Sequence, residues 1–324
     1  MANAQGGLKV GNQSYQLKWN VYDVGCQDTA ETQTALQRAI LQDGVNIFVN
    51  DFGVASRVAA DVCDKNRLLY AGVSWTDDVV SPKFQHYIRP IGGFFGRAMN
   101  YYIYDDYKQR GAKTYVGCTV DGDQGHYAAG LCAATAKLVG LETRPSIFFP
   151  GNTVDFSPIA TKIRSLNVDV VDLVQSTGEQ VVNIVAALKD AGWKGLIAPG
   201  PGLDTATLAN LAQKVGNFVE GMEMLDFDPR QIPSTIQDPS MMSLINAYTK
   251  EYGEFKTDGA FWTGPWFVLQ GAIKATNNVD ADVLKQYLGK GSPPVKTLAG
   301  YVQLFARPDL KQNRAIDGAP GHGI

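Results

Sequence analysis

No run of roughly 18 apolar residues occurs in the chain, so no segment reads as a membrane-spanning helix. Lysines and arginines are dispersed and the formal net charge is -3, which excludes a surface built for nucleic acid. Histidine occurs three times, as His86, His126 and His322, and cysteine four times, as Cys26, Cys63, Cys118 and Cys132. No cysteines form a CxxC pair and their spacing fits no zinc site. Buried free thiols are the simpler reading, on the burial tendency of cysteine, and a disulfide at Cys26 stays open. No GxSxG elbow, HExxH or GxxxxGK[ST] loop is present. Gly122, Gly125 and Gly130 lack the GxGxxG spacing of a dinucleotide site, and in Gly200-Pro201-Gly202 the proline removes a donor that a phosphate would need. His126, in Asp121-Gly122-Asp123-Gln124-Gly125-His126, is a candidate base, with a solvated helix-start residue as the simpler reading. The expectation is a chain with no catalytic residues, no metal and no cofactor. Met1 to Gly7 lack the basic and apolar regions of a signal peptide. A cytoplasmic protein fits that, and so does a chain whose leader has been removed.

What is present is material for two cores. The 324 residues exceed a usual domain of roughly 100–150, and 45% are hydrophobic against 19% charged. Short apolar runs alternate with helical patterns. Leu17–Tyr22, Val45–Val49 and Arg67–Ala71 read as strands, with helices at Thr29–Leu41 and Ala55–Cys63. The rhythm restarts after Pro90. Helices are expected at Phe94–Arg110, Tyr127–Val139, Phe156–Leu166, Val181–Ala191 and Ala206–Val215. Strands are expected at Thr114–Cys118, Ser146–Phe149, Val168–Val174, Leu196–Ala198 and Val219–Met224. The tail reads as helices at Pro239–Tyr252, Thr263–Ala275 and Asp280–Leu288, which return to cover the first lobe. The fold class is therefore α/β: two doubly wound parallel-sheet lobes joined by a multi-strand hinge. The first lobe is placed at 1–90 plus 229–300 and the second at 91–228 plus 301–324, with crossings near Arg89-Pro90, Met224–Pro229 and Gly300–Arg307.

Open parallel sheets bind ligands at the C-terminal ends of their strands. Polar, small-residue loops fall there: Asn50–Ser56, Gly72–Asp77, Asp121–Gln124, Gln175–Gly178 and Gly200–Asp204. Each also serves as an ordinary helix cap, but five on two lobes point to a cleft.

These loops, with Gly7–Gly11 leading into Leu17–Asp23, Gln42–Val49, Asp155–Asp169 and Val181–Lys194, resemble the branched-chain amino-acid-type solute-binding proteins of ABC importers. The similarity runs over nearly the whole chain and implies the type I periplasmic-binding fold. It departs at both ends. Relatives begin with a further strand, central in the first lobe, and a helix. Without that strand two sheet edges are exposed, so a truncated sequence that has also lost its leader is expected. The resemblance implies that Gly53, Val54, Ala55 and Ser56, with Ser74, Trp75 and Thr76, hold a ligand carboxylate by hydroxyls and N–H groups. The Ser74 carbonyl would face an ammonium. In the second lobe it implies contacts from Gln124, Thr177, Pro201, Gly202 and Asp204. An acidic residue that pairs with the ammonium in relatives falls at or near Pro201, which forms no such pair; Asp204, three residues on, is the candidate substitute, and an aromatic falls at Gln124. The expected ligand is a small carboxylate, amide or aromatic or amino-acid-like molecule, with Trp75 a stacking face or a wall residue. The expected partners are that ligand and the membrane permease of an importer, the expected location periplasmic or cell-surface, and the expected state a monomer. A ligand-sensing domain of a receptor or regulator is the first alternative, and a Rossmann-like nucleotide-dependent enzyme the second.

Overall fold

The computed structural model describes residues 3, 6–22, 29–49, 55–74, 76–174, 176–200, 203, 205–224, 228–255 and 258–321. The chain divides into two units: Met1–Gly92 with Phe227–Phe255 and Gly259–Ile324, and Gly93–Asp226 with Lys256–Asp258.

The first unit opens with an antiparallel hairpin of β1 (Leu8–Val10) and β2 (Gln13–Tyr15). Then come α1 (Thr29–Leu41), β3 (Ile47–Val49), α2 (Ala55–Lys65), β4 (Leu69–Ser74) and β5 (Tyr87–Gly92). In the second unit α3 (Gly93–Gln109), β6 (Thr114–Val120), α4 (Asp123–Val139), β7 (Glu142–Thr143), β8 (Ile147–Phe149), α5 (Ser157–Ser165), β9 (Val170–Asp172), α6 (Gly178–Asp190), β10 (Leu196–Ala198) and α7 (Thr205–Val215) follow. The return carries α8 (Pro233–Ile236), α9 (Pro239–Tyr252), α10 (Asp258–Trp262), α11 (Gly264–Thr276), α12 (Ala281–Gly289), β11 (Val295–Thr297), β12 (Gly300–Arg307) and β13 (Gln312–Gly321).

The second unit's sheet runs β10-β9-β6-β7, with β8 also on β6, and all its pairings are parallel. Successive residues of a strand face opposite sides, so a sheet covered by helices on both faces needs apolar residues at every position. Tyr115 and Val170 enter one core with Tyr104 and Ala128, while Val116 and Val171 enter the other with Ile163, Ile184 and Leu188.

The first unit's sheet runs β11-β12-β13-β5-β4-β3. Residues 301–324, expected in the second lobe, lie in this unit. The reason is pairing: β12 and β13 form a long antiparallel hairpin, and β13 lies parallel to β5 with Asp317 opposite Arg89. Gly318 permits that approach, since a Cβ there would stand 1.7 Å from the Pro90 carbonyl oxygen. The Gly300–Arg307 crossing is accordingly a strand inside the first unit, and the tail that read as helices ends in three strands. Two other expected strands are irregular. Leu17–Tyr22 alternates as a strand should but has no ladder neighbour, and among the described residues β3 pairs only with β4. Val219–Met224 begins at the end of a 3₁₀ turn, Gly216–Val219, and contains Gly221 at φ 81°, which breaks an extended run.

A carboxyl group is buried inside the second unit. Asp172, 1% exposed, accepts hydrogen bonds from the Tyr104 hydroxyl and, at 3.1 Å, from the Tyr115 hydroxyl. Burial pushes its carboxyl up to about 6, although both tyrosine hydroxyls and the Cys132 thiol pull the other way. An acid whose folded pKa is raised takes up its proton first in the folded state. Folded protein therefore gains stability as pH falls through 6 toward the unfolded value of 3.8. Relative to Asp172→Asn, the wild type is expected to gain about 2 kcal/mol in urea-unfolding stability between about pH 7 and 4. Parallel pH profiles for the two proteins would contradict this.

Candidate functional site

In the first unit the candidate loops follow β3 and β4, which are neighbours in the sheet. Ser74, fully buried, ends β4, and its hydroxyl lies 3.2 Å from that of the half-buried Thr76. Beyond the strand no ladder holds the backbone. A side chain does so instead: Arg89 on β5 donates from Nη1 to the Thr76 carbonyl at 2.5 Å and to the Ser74 carbonyl at 3.4 Å, and from Nη2 to Asp77 at 2.8 Å. The Ser74 carbonyl, expected to face an ammonium, thus points to a guanidinium. Arg89 is itself fixed by Asp317 on β13 through two bonds of 2.6 Å. Arg307 on β12 bonds the same Asp317 at 2.9 Å and both Asp77 oxygens at 3.1 Å. Burial alone would lower the pKa of Arg89. The Asp317 and Asp77 carboxylates together outweigh it and hold the guanidinium charged, above its ordinary value.

The loop after β3 leads into α2. Ala55 opens that helix and Gly53 and Val54 lie outside the described residues, as does Trp75 in the loop after β4. Ser56, in the first turn, is 1% exposed, and its hydroxyl has no hydrogen-bond partner among the described residues. A helix start supplies unpaired N–H groups and a positive dipole end beside it.

In the second unit Gln124 is buried in the first turn of α4. Gly125 explains how closely that turn meets β6: a Cβ there would stand 2.0 Å from the Val120 carbonyl oxygen. The glycine is needed for packing, without any phosphate. Thr177 is the N-cap of α6. Its hydroxyl accepts from the Gln180 N–H at 3.3 Å, and the Gln180 side chain accepts from the Thr177 N–H at 2.9 Å. The Thr177 hydroxyl is thus committed to its own helix. Its neighbour Ser176, in the same Gln175–Gly178 loop but not singled out there, has a buried hydroxyl with no hydrogen-bond partner among the described residues. The sequence does not separate the two, because Ser176 precedes Glu179 as Thr177 precedes Gln180, both with capping-box spacing, and only geometry shows which one caps. Pro201, Gly202 and Asp204 lie outside the described residues.

The remaining candidates have structural explanations. His126 is exposed, 2.8 Å from Asp121 and stacked on Phe148 at 3.8 Å between ring centres. His86 is buried between Asp64 at 3.0 Å and Asp282 at 3.1 Å. Cys63, Cys118 and Cys132 are buried, while Cys26 and His322 lie outside the described residues. Among the described residues no group of His, Cys, Asp or Glu is arranged to hold a metal.

Hydroxyls and helix starts at the C-terminal ends of parallel strands are what the sequence resemblance led one to expect, and comparison with known proteins decides the family. The model of the periplasmic binding protein family matches residues 1–315. The chain belongs to this family. Periplasmic binding proteins are binding proteins rather than enzymes, and the fold is their type I α/β architecture. Leu/Ile/Val-binding protein homolog 7 of Brucella abortus is 29% identical over 189 residues, which cover 56% of this chain and 46% of that one. The chain thus spans about half the length of the curated relatives it matches. A leucine-binding protein of Thermotoga maritima superposes with a TM-score of 0.75 at 18% identity, over 94% of this chain and 83% of that one. A solute-binding protein of an ABC transporter from Rhodopseudomonas palustris, in complex with 3,4-dihydroxybenzoic acid, does so with 0.69 at 17% identity, over 98% and 83%.

The two kinds of hydroxyl in this periplasmic binding protein predict opposite responses in the ligand-free state. Thr177→Ala removes a working cap and should cost about 1 kcal/mol in urea unfolding. Ser56→Ala removes a hydroxyl with no hydrogen-bond partner among the described residues and should leave stability unchanged or raise it. A loss of about 1 kcal/mol at Ser56 would show that its hydroxyl already has a partner.

Proposed function

We propose that this protein is the extracytoplasmic solute-binding component of an ABC importer. It holds a small carboxylate, amide or aromatic molecule between its two lobes and delivers it to a membrane permease. The observation that carries this reading is the Ser56 hydroxyl: buried, without a hydrogen-bond partner among the described residues, and in the first turn of α2, where the next residue, Arg57, lies 3.8 Å from Asp78. A buried hydroxyl left unpaired costs free energy, which a bound acceptor returns. Helix-start N–H groups and the Thr76 hydroxyl complete a first-lobe wall that suits an acid.

An acid without an α-ammonium is favoured over an amino acid. Pro201 stands where relatives carry an acidic partner for the ammonium, and the Ser74 carbonyl is turned to Arg89. An ammonium buried without a partner is costly. The bound 3,4-dihydroxybenzoic acid of the Rhodopseudomonas palustris protein supports the aromatic option. Hinge closure would follow from a ligand that touches both lobes, because only differential contacts shift the open–closed balance.

Calorimetry with 3,4-dihydroxybenzoate, benzoate and leucine tests the ligand class. The aromatic acids are expected to bind and Thr76→Ala to weaken them about tenfold, the worth of roughly one charge-assisted hydrogen bond. Micromolar binding of leucine, with no response to the aromatic acids, contradicts this assignment.

A further inference from the structure

Arg89 has no place in a list of ligand contacts, because its side chain is fully buried. Yet its bonds end on the loop that carries Thr76. Two of its donors take the Ser74 and Thr76 carbonyls and a third takes Asp77. Nothing in the β4–β5 ladder does that work, since its last paired residue on β4 is Ser74, opposite Gly92. The guanidinium is in turn placed by Asp317, and Asp317 and Asp77 are both shared with Arg307. Position is thus handed from β12 and β13 to a side chain on β5, and from that side chain to the loop. A planar guanidinium has its donors in a fixed fork, so it can bond a carboxylate and two carbonyls in one rigid geometry. An ammonium at the end of a flexible stem cannot.

We propose that Arg89 is a positioning residue of the ligand site, which sets the place of the Thr76 hydroxyl by holding the backbone carbonyls on either side of Trp75. This rests on the reading of Thr76 as a ligand contact. A purely structural ion pair would stabilise the sheet equally well without touching the loop backbone, and Arg89→Lys separates the two roles. It keeps a cation beside Asp317 but loses the fork.

Two readouts test the proposal. In the ligand-free protein, amide hydrogen exchange of a peptide spanning 76–80 should speed up about tenfold or more in Arg89→Lys, with β6 of the second unit unchanged. In calorimetry with 3,4-dihydroxybenzoate, Arg89→Lys should weaken binding about tenfold, and adding Thr76→Ala should weaken it little further, because one acts through the other. Unchanged exchange at 76–80, or losses that multiply in the double variant, overturns the positioning role. An affinity that Thr76→Ala leaves unchanged instead removes the ligand reading beneath it, and the exchange readout still decides whether Arg89 sets the loop. Should Arg89→Lys fail to fold, Asp77→Asn loosens the same loop from both arginines. Smaller changes of the same kind are expected there, and none at all overturns the proposal.

Discussion

The pairing of Arg89 with Asp317 is the constraint on which the first unit depends. The two residues lie 228 positions apart and both side chains are fully buried. A buried ion pair adds little net stability over an apolar pair, because desolvation consumes most of the Coulombic gain. What it does well is exclude alternatives, since an unpaired buried charge is very costly. Here it fixes the register of β13 against β5, and through Arg307 it also fixes β12. A unit assembled from both ends of the chain acquires one arrangement of its strands, and the loop after β4 is held to that arrangement.

This explains why the two units were unequally legible in the sequence. In the second unit each strand except the short β7 is followed by its own helix, so the apolar period switches between neighbours in sequence. Helices such as α6 and strands such as β10 fall where that period puts them. In the first unit, β12 and β13 find their place only against β5. Gly318-Ala319-Pro320-Gly321 has no alternation and reads as a tail, yet the glycine is there because the Pro90 backbone passes so close. Leu17–Tyr22 errs the other way. It has a strand's alternation but no neighbour, and a period cannot create a ladder.

The candidate site divides along the same line. The loops that carry Ser56, Ser74 and Thr76 were legible because strand ends and helix starts leave local marks. Arg89 was not, because Arg89-Pro90 looked like a domain boundary and its partner is distant. Thr177 and Ser176 differ for a subtler reason: a capping box satisfies the Thr177 hydroxyl, while that of Ser176 has no hydrogen-bond partner among the described residues. Gly125, which seemed a fragment of a nucleotide loop, is a packing glycine.

Together these features describe a periplasmic binding protein, and the proposed reading is that its first unit offers hydroxyls and helix-start donors to a small acid. The most direct test is mass spectrometry of what the purified protein carries. The protein is isolated without unfolding and then denatured to release its contents. The account predicts a small organic acid without an amino group, released from the wild type and much reduced in Thr76→Ala. Release of an amino acid or a nucleotide, in equal amount from both proteins, would contradict it.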